Sequence, residues 1–133
     1  MLLLDASVWV AAGISAHPSH GPAAALARGG APVAALDLTL YEVINAVARG
    51  YRQPAQAERI VRAIVRTCGD GLSRVDAELG GQVADLVARH GLTAYDAAYV
   101  AVARRNGWQL VSLDVRNLVS KGLAVTPDAA DYP

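Results

Sequence analysis

The chain has 133 residues, of which 53% are hydrophobic and 18% are charged, and its 12 basic residues balance its 12 acidic residues. This length predicts a single ordered domain over residues 1–133, and the balanced charge argues against a protein that coats DNA or RNA through a broad basic surface. With two Trp and no Phe, the composition also argues against the aromatic stacking platforms of general single-strand binders.

The N-terminal segment MLLLD and the single cysteine indicate where in the cell the protein is expected. The segment lacks a basic region and reaches an acid at Asp5, so it does not have the pattern of a signal peptide. No run approaches the roughly 20 apolar residues that span a bilayer, and a lone Cys68 cannot form an intramolecular disulfide. We therefore expect a cytoplasmic protein with no membrane partner.

Short apolar runs alternate with helical patterns along the chain. Strands are predicted at residues 2–4, 33–36, 72–75 and 110–113, with an edge strand at 123–125. Helices are predicted from residue 6, at 22–28, from 39 to between 49 and 52, and at 53–68, 76–90 and 93–106. This alternation predicts an α/β fold, a three-layer α/β/α sandwich with a central, mainly parallel sheet of four or five strands. No Gly-rich dinucleotide fingerprint or Walker motif is present.

Asp5 follows the first predicted strand, at the edge where open α/β sheets bind their ligands. The residues after it, from Ala6 onward, begin a helix, so Asp5 could equally serve as the N-cap of that helix. Ser7 could cap the same helix or donate a hydrogen bond to a neighbouring carboxylate. The sequence leaves both roles of Asp5 open.

Two further acids lie in capping patterns. The segments TLYE at residues 39–42 and TAYD at residues 93–96 both place an acid three residues after a Thr. In a capping box the acid binds the backbone at the start of its own helix, so capping alone would explain Glu42 or Asp96. The alternative is that both side chains serve a site at the edge of the sheet. A fourth acid, Asp114, follows the predicted strand at 110–113.

The carboxylates of Asp5, Glu42, Asp96 and Asp114 can share one edge of a parallel sheet. Two carboxylates about 5 Å apart repel by roughly 3 kcal/mol at an effective dielectric of about 20. No lysine lies near them in the sequence, and Arg116, the nearest basic residue to Asp114, can neutralise only part of the charge. Such a cluster must take up protons or hold a divalent cation, and oxygen ligands favour Mg²⁺ or Mn²⁺.

A divalent cation in such a cluster suits phosphodiester hydrolysis. It lowers the pKa of a water to make the attacking hydroxide, and it stabilises the charge that develops on the phosphoryl oxygens. No Ser-His-Asp or Cys-His set is evident, so a covalent acyl or thiol mechanism has no support in the sequence.

Together the four acidic motifs resemble those of PIN-domain ribonucleases, and their order and the chain length are similar to the VapC toxins of bacterial toxin–antitoxin pairs. The motifs are Asp5 in LLLDASVWV, Glu42 in LTLYEVINAVAR, Asp96 in LTAYDAAYVAVARRNG and Asp114 in QLVSLD. The resemblance covers nearly the whole chain. It implies a PIN-like fold and a Mg²⁺-dependent endoribonuclease that cuts structured RNA, transfer or ribosomal RNA. It also implies a homodimer and a small antitoxin protein that binds the toxin and masks its site.

Two positions depart from the common pattern of that family. Ser112 stands where relatives often have Thr, which keeps the hydroxyl, and Asn117 stands where some relatives have a further acid. The resemblance therefore implies one firm metal, with Glu42 as a ligand, a water-mediated ligand or a general base. The residues nearest that metal would be Asp5, Asp96 and Asp114.

Two other classes of function compete with a toxin ribonuclease. A catalytically weak PIN-like module would bind RNA or a partner without cutting, and the presence of all four acids argues against it. A phosphotransfer domain with a strand-end Asp as nucleophile would have a second Asp two residues after the first. Ser7 occupies that position, so this class ranks last.

Overall fold

The computed structural model describes residues 1–132 and has a four-stranded parallel sheet at its centre. The strands are β1 (Leu2–Leu4), β2 (Val33–Leu36), β3 (Leu72–Ser73) and β4 (Gln109–Val111). Their order in the sheet is β3-β2-β1-β4, so β1 lies between β2 and β4. Residue 133, the last of the predicted domain 1–133, lies outside the described residues.

Six α-helices connect the strands. They are α1 (Ala6–Gly13), α2 (His20–Arg28), α3 (Asp37–Ile44), α4 (Pro54–Cys68), α5 (Ala77–His90) and α6 (Ala94–Asn106). Two π-helical segments, Asn45–Gly50 and Val115–Val119, follow α3 and β4. Within residues 1–132, none of the helices has the length and apolar character needed to cross a membrane.

The helices form a layer on each face of the sheet. Successive side chains of a strand point to opposite faces, and Leu2 and Leu4 accordingly pack with buried residues of α1, α2 and α4. Leu3 packs on the other face with buried residues of α5 and α6. The predicted three-layer α/β/α sandwich is therefore confirmed, and its sheet is parallel at every pairing.

Two of the predicted strands are shorter than the apolar runs indicated, and a third is nearly absent. The run at 72–75 pairs only over Leu72–Ser73, and the run at 110–113 pairs over Gln109–Val111. The predicted edge strand at 123–125 reduces to one parallel bridge between Val111 and Val125. After β4 the Ser112 N–H still donates to the Val125 carbonyl at 2.9 Å, but the next N–H, of Leu113, donates to the Ser7 hydroxyl oxygen, so the ladder does not continue.

The carboxyl ends of β1 and β4 lie side by side. Leu4 is in register with Val111, and the N–H of the next residue, Asp5, donates to the Val111 carbonyl at 3.1 Å. The chain segments that follow β1 and β4 are therefore adjacent at one edge of the sheet. This adjacency is what brings residues more than 100 positions apart in the sequence to a common site.

Candidate active site

Asp5 lies at the junction between β1 and α1 and is only 6% exposed. Its Oδ1 accepts the Val8 N–H at 3.2 Å, so Asp5 does cap α1, and the same oxygen accepts the Ser7 hydroxyl. The Ser7 oxygen in turn accepts the Leu113 N–H at 3.0 Å. Ser7 therefore links the Asp5 carboxylate to the segment after β4, and the capping role does not exclude a role in a site.

Burial raises the pKa of Asp5 from its ordinary value of 3.8 to about 6. Hydrogen bonds from Ser112, Ser7 and Val8 act in the opposite direction, and the negative charge of Asp96 adds to the increase. At neutral pH Asp5 is thus a carboxylate in a poorly solvated position beside like charge. Such an oxygen is a strong candidate for binding a cation.

Glu42 does not cap its helix, which contradicts the capping interpretation of TLYE. Helix α3 begins at Asp37, two residues before Thr39, and its N-cap is Leu36. Thr39 is at the third helical position, where its hydroxyl oxygen accepts the Leu36 N–H at 3.0 Å. The boundary lies earlier than predicted because β2 leads directly into α3, and Glu42 consequently falls in the second turn.

The half-buried Glu42 side chain is held by a buried hydroxyl pair that the sequence did not reveal. The Tyr99 hydroxyl donates to Glu42 Oε1 at 2.8 Å and lies 2.7 Å from the Thr39 hydroxyl. Since Tyr99 gives its one proton to Glu42, Thr39 donates to Tyr99 and accepts from Leu36. The chain Leu36 N–H, Thr39, Tyr99, Glu42 is therefore directional and fixes one carboxylate oxygen.

Burial also raises the pKa of Glu42, and the hydrogen bond from Tyr99 opposes that change. The charges of Asp5 and Asp96 raise it further. Tyr99 is 1% exposed, and a buried tyrosine hydroxyl normally needs a polar partner. The only sign of the contact between Tyr99 and Glu42 in the sequence was that Tyr99, a large residue with a hydroxyl group, lies within the run of small residues AAYVAVA.

Asp96 lies in the first turn of α6, where the Thr93 cap is confirmed. Thr93 accepts the Asp96 N–H at 3.1 Å through its side-chain oxygen. Burial raises the pKa of Asp96, the charge of Asp114 raises it further, and a hydrogen bond from Thr93 and the positive charge of Lys121 lower it. Lys121 is 25 positions away in the sequence, so its influence on Asp96 was not predictable from spacing.

Asp114 is held by Asn117 through both of its carboxylate oxygens. Oδ1 accepts the Asn117 N–H at 2.9 Å, and Oδ2 accepts Asn117 Nδ2 at 3.1 Å. The Asp114 N–H donates to the Ser112 hydroxyl oxygen at 3.0 Å, and Ser112 is fully buried. Ser112 therefore accepts from the backbone of one acid and lowers the pKa of another, Asp5.

The exposed Arg116 does not neutralise the acids. The ion pairs within residues 1–132 are Arg62–Glu58, Arg89–Asp85 and Arg105–Asp76, and none includes Arg116 or any of the four acids. The position next to Asp114 is taken by the Asn117 amide. Among the described residues, the negative charge at the site is thus offset by hydrogen bonds and by the more distant Lys121.

The four acids influence one another electrostatically, with Asp96 at the centre. Its charge raises the pKa of Asp5 and of Glu42, and the charge of Asp114 raises the pKa of Asp96. Mutual repulsion of this kind acts between carboxylates that lie near one another. The structure therefore brings together the acids from β1, α3, α6 and the segment after β4, which we call the acidic cluster.

The acidic cluster fits a hydrated hard cation better than a cage of protein ligands. Its donors are all carboxylate oxygens, which suits Mg²⁺ or Mn²⁺. Within the described part of the chain, however, no three His, Cys, Asp or Glu side chains are grouped so as to hold a metal ion. Mg²⁺ commonly keeps several waters and uses only one or two carboxylates together with substrate phosphates. The donor set present is compatible with that mode.

Comparison with known proteins identifies the family. The sequence model of the PIN domain matches residues 2–120 of the chain. Ribonuclease VapC3 of Pyrobaculum aerophilum is 36% identical over 97 residues, which cover 69% of this chain and 73% of that protein.

Solved structures agree with the fold. VapC20 of Mycobacterium tuberculosis, a sarcin–ricin loop cleaving toxin, is 25% identical, with a TM-score of 0.73 over 92% of this chain and 95% of that one. A toxin–antitoxin complex from Klebsiella pneumoniae contains a chain that is 18% identical, with a TM-score of 0.70 over 96% of this chain and 98% of its own length. From the matched family and the VapC3 relative together, we conclude that this chain belongs to the PIN-domain family and, within it, to the VapC-type ribonuclease toxins.

Proposed function

We propose that this chain is a divalent-cation-dependent endoribonuclease that hydrolyses phosphodiester bonds in structured RNA at the acidic cluster. The observation that supports it most directly is the buried carboxylate of Asp5, whose pKa is raised to about 6 and which has no basic partner among the residues described. A cation bound there would offset both the cost of burying the Asp5 charge and its repulsion by Asp96. The proposal treats residues 1–133 as one catalytic domain.

Asp5 and Asp96 are the residues that would hold the cation. Asp5 is oriented by Ser7 and the N-terminus of α1, and Asp96 is placed by the Thr93 cap. Asp114 is oriented by Asn117 and adds negative charge, either through direct contact or through water. A hydrated Mg²⁺ or Mn²⁺ held by these oxygens supplies an activated water and offsets charge on the phosphoryl group.

Glu42 is the residue placed to accept a proton. Tyr99 holds one of its oxygens by a donated hydrogen bond, and burial raises the pKa of Glu42, which makes it a stronger proton acceptor. The other carboxylate oxygen of Glu42 is the one that would meet the attacking water. Ser112 accepts the Asp114 N–H and lowers the pKa of Asp5, so it is the residue that would relate these two acids.

Transfer or ribosomal RNA is the substrate class we propose. The balanced charge of the chain does not favour indiscriminate binding along a phosphate backbone, since non-specific affinity depends on a basic excess. A shape-dependent contact with a folded RNA requires fewer cations. The relative VapC20 is a sarcin–ricin loop cleaving toxin, which is an instance of this substrate class in a chain of the same fold.

A cognate antitoxin protein and a second copy of the chain are the proposed protein partners. The Klebsiella pneumoniae structure of the same fold is a toxin–antitoxin complex. A nuclease acting on the RNA of its own cell needs a partner that blocks the site until release. We propose the cytoplasm as its location because transfer RNA and ribosomes are there.

Cleavage of total RNA by the purified protein tests this function. We expect cleavage with Mg²⁺ or Mn²⁺, none with a chelator, and none by Asp96→Asn, which keeps the backbone contact to Thr93 and so should remain folded. Asp70→Asn, at an exposed acid, is the matched control and should cleave normally. Mapping of RNA ends would then give the cleaved site. Equal cleavage by Asp96→Asn and the parent would contradict the proposal, and RNA binding without cleavage would favour a binding module.

A further inference from the structure

A groove of about 910 Å³ lies directly beside the acidic cluster, and Glu42 is one of its lining residues. Tyr41 and Tyr95 also line it. They are 70% and 59% exposed and are the two most exposed large hydrophobic side chains within residues 1–132. Each is the immediate chain neighbour of an acid of the cluster, since Tyr41 precedes Glu42 and Tyr95 precedes Asp96.

The same groove contains a guanidinium group that forms no ion pair with a carboxylate of the described residues. Arg49 lines it and is exposed, and it belongs to none of the ion pairs within residues 1–132. Arg49 and Asn45 lie on the π-helical segment that extends α3, a local widening that is frequent at functional sites.

We propose that this groove binds one unstacked nucleotide of the RNA substrate, with its base against Tyr41 and Tyr95 and its phosphate at Arg49. Aromatic faces and arginine are the groups with which proteins hold unpaired RNA bases and their backbone. A nucleotide seated there leaves the next phosphate beside the acidic cluster. This inference rests on the proposed ribonuclease function and adds a subsite to it.

The acid in the groove lining favours a nucleotide over a protein chain. Tyrosine and arginine are common at protein interfaces as well, but acids are depleted from the core of such interfaces, and Glu42 of the acidic cluster lines this groove. This groove has two aromatic rings, an acid, an unpaired arginine and an amide, with Leu38 and Ala46 as its only aliphatic lining residues. The low Phe and Trp content excludes an extended stacking platform, but a single base needs only one or two rings, and tyrosines supply them.

Binding of an RNA in chelator, where no cation supports cleavage, tests the subsite independently of activity. The probe is a short RNA that contains 2-aminopurine, whose fluorescence is quenched when the base stacks. We expect quenching by the wild-type protein, and about tenfold weaker binding for Tyr41→Leu or Tyr95→Leu, because stacking on an aromatic ring is worth about 1–3 kcal/mol per base, roughly 5- to 150-fold. Tyr→Phe at either position keeps the ring and should bind normally. Tyr132→Leu, at an exposed tyrosine outside the groove lining, is the matched control.

Arg49→Gln tests the phosphate contact through its salt dependence. Loss of one contact to single-stranded RNA should lower the slope of log affinity against log salt by about 0.7. In cleavage assays the two Tyr→Leu variants should raise KM with little change in kcat, since binding and not the reacting groups is altered. Unchanged salt slope and unchanged KM would overturn the assignment of this groove.

The outcomes separate this inference from the ribonuclease itself. Ring-dependent quenching without cleavage of any RNA would support the subsite and contradict the proposed function. Normal cleavage and normal quenching by both Tyr→Leu variants would overturn the subsite and leave the proposed function intact. Loss of a dimer in sedimentation, with quenching unchanged, would assign the groove to contact between two copies of the chain and would also overturn the inference.

Discussion

Replacement of Asp5 by Asn should make the cation-free protein more stable near neutral pH while abolishing its activity. The Asp5 carboxylate is buried, and its pKa is raised from 3.8 to about 6. Because the folded-state pKa is raised, the stability that protonated Asp5 provides is complete below pH 3.8 and is lost as the pH rises through 6. Asn is uncharged throughout and retains an oxygen to accept from Ser7 and Val8.

The size of the effect follows from that pKa change. At about 1.4 kcal/mol per pH unit, the free energy of unfolding of Asp5→Asn relative to wild type should rise by roughly 2 to 3 kcal/mol between about pH 4 and about pH 7.5. For a chain of this length, 1 kcal/mol corresponds to roughly 3 to 4 °C in Tm. The relative Tm of the variant should therefore increase by about 10 °C across that range.

Thermal unfolding followed by circular dichroism, in chelator and at both pH values, measures the difference. Asp70→Asn is the control, because an exposed acid should change stability by no more than about 0.5 kcal/mol at either pH. A Tm difference between Asp5→Asn and wild type that stays constant with pH would refute the reasoning. It would mean that the buried carboxylate is not destabilised by its surroundings.

Three further predictions concern the cation and the groups that orient the acids. Mg²⁺ should raise the Tm of the wild-type protein more at about pH 7.5 than at about pH 5, because protons compete for Asp5 below its folded-state pKa of about 6; equal shifts at both pH values would contradict this. Tyr99→Phe should lower kcat about tenfold and move the acidic limb of the pH–rate profile to higher pH, since loss of the donated hydrogen bond raises the pKa of Glu42 further. An unchanged pH–rate profile would indicate that Tyr99 has a purely structural role. Asn117→Asp should lower the stability of the cation-free protein, because it replaces an amide donor to Asp114 with a negative charge. The same substitution should tighten Mg²⁺ binding in calorimetry. Weaker Mg²⁺ binding would argue that Asp114 acts only through its contact with the Asn117 amide.

The features that local chemistry determines were predictable from the sequence. Thr93 caps α6 as expected, and Gly107 ends it in the left-handed conformation with φ of 65°. Asp76 likewise caps α5 by accepting the Leu79 N–H. The three-layer α/β/α fold was predictable because short apolar runs alternate with helical patterns, and a strand covered on both faces must be apolar throughout.

The features that depend on contacts between distant segments were not predictable. The spacing of Thr39 and Glu42 fits a capping box, yet α3 begins earlier, and Glu42 is instead held by Tyr99, 57 positions away. The run at 123–125 has the apolar pattern of a strand, but it makes only one bridge. Both errors arise where the tertiary contact, and not the local pattern, decides which hydrogen bonds form.

The arrangement of the four acids was predictable in part from the sequence. Family resemblance selected Asp5, Glu42, Asp96 and Asp114, and a parallel sheet explains how strand-end positions meet at one edge. The sequence did not show that Asn117 binds both oxygens of Asp114, or that no three acidic, His or Cys side chains of the described residues are grouped so as to hold a metal ion. Those details depend on side-chain placement after the strands end.

The most direct test of the central claim is anomalous diffraction from a crystal of this protein soaked in Mn²⁺. The account predicts an anomalous peak within about 2.2 Å of carboxylate oxygens of Asp5 and Asp96, with waters completing the coordination. The peak should disappear in Asp5→Asn. A peak at another site, or none at a Mn²⁺ concentration that supports RNA cleavage, would contradict the claim that the acidic cluster binds the catalytic cation.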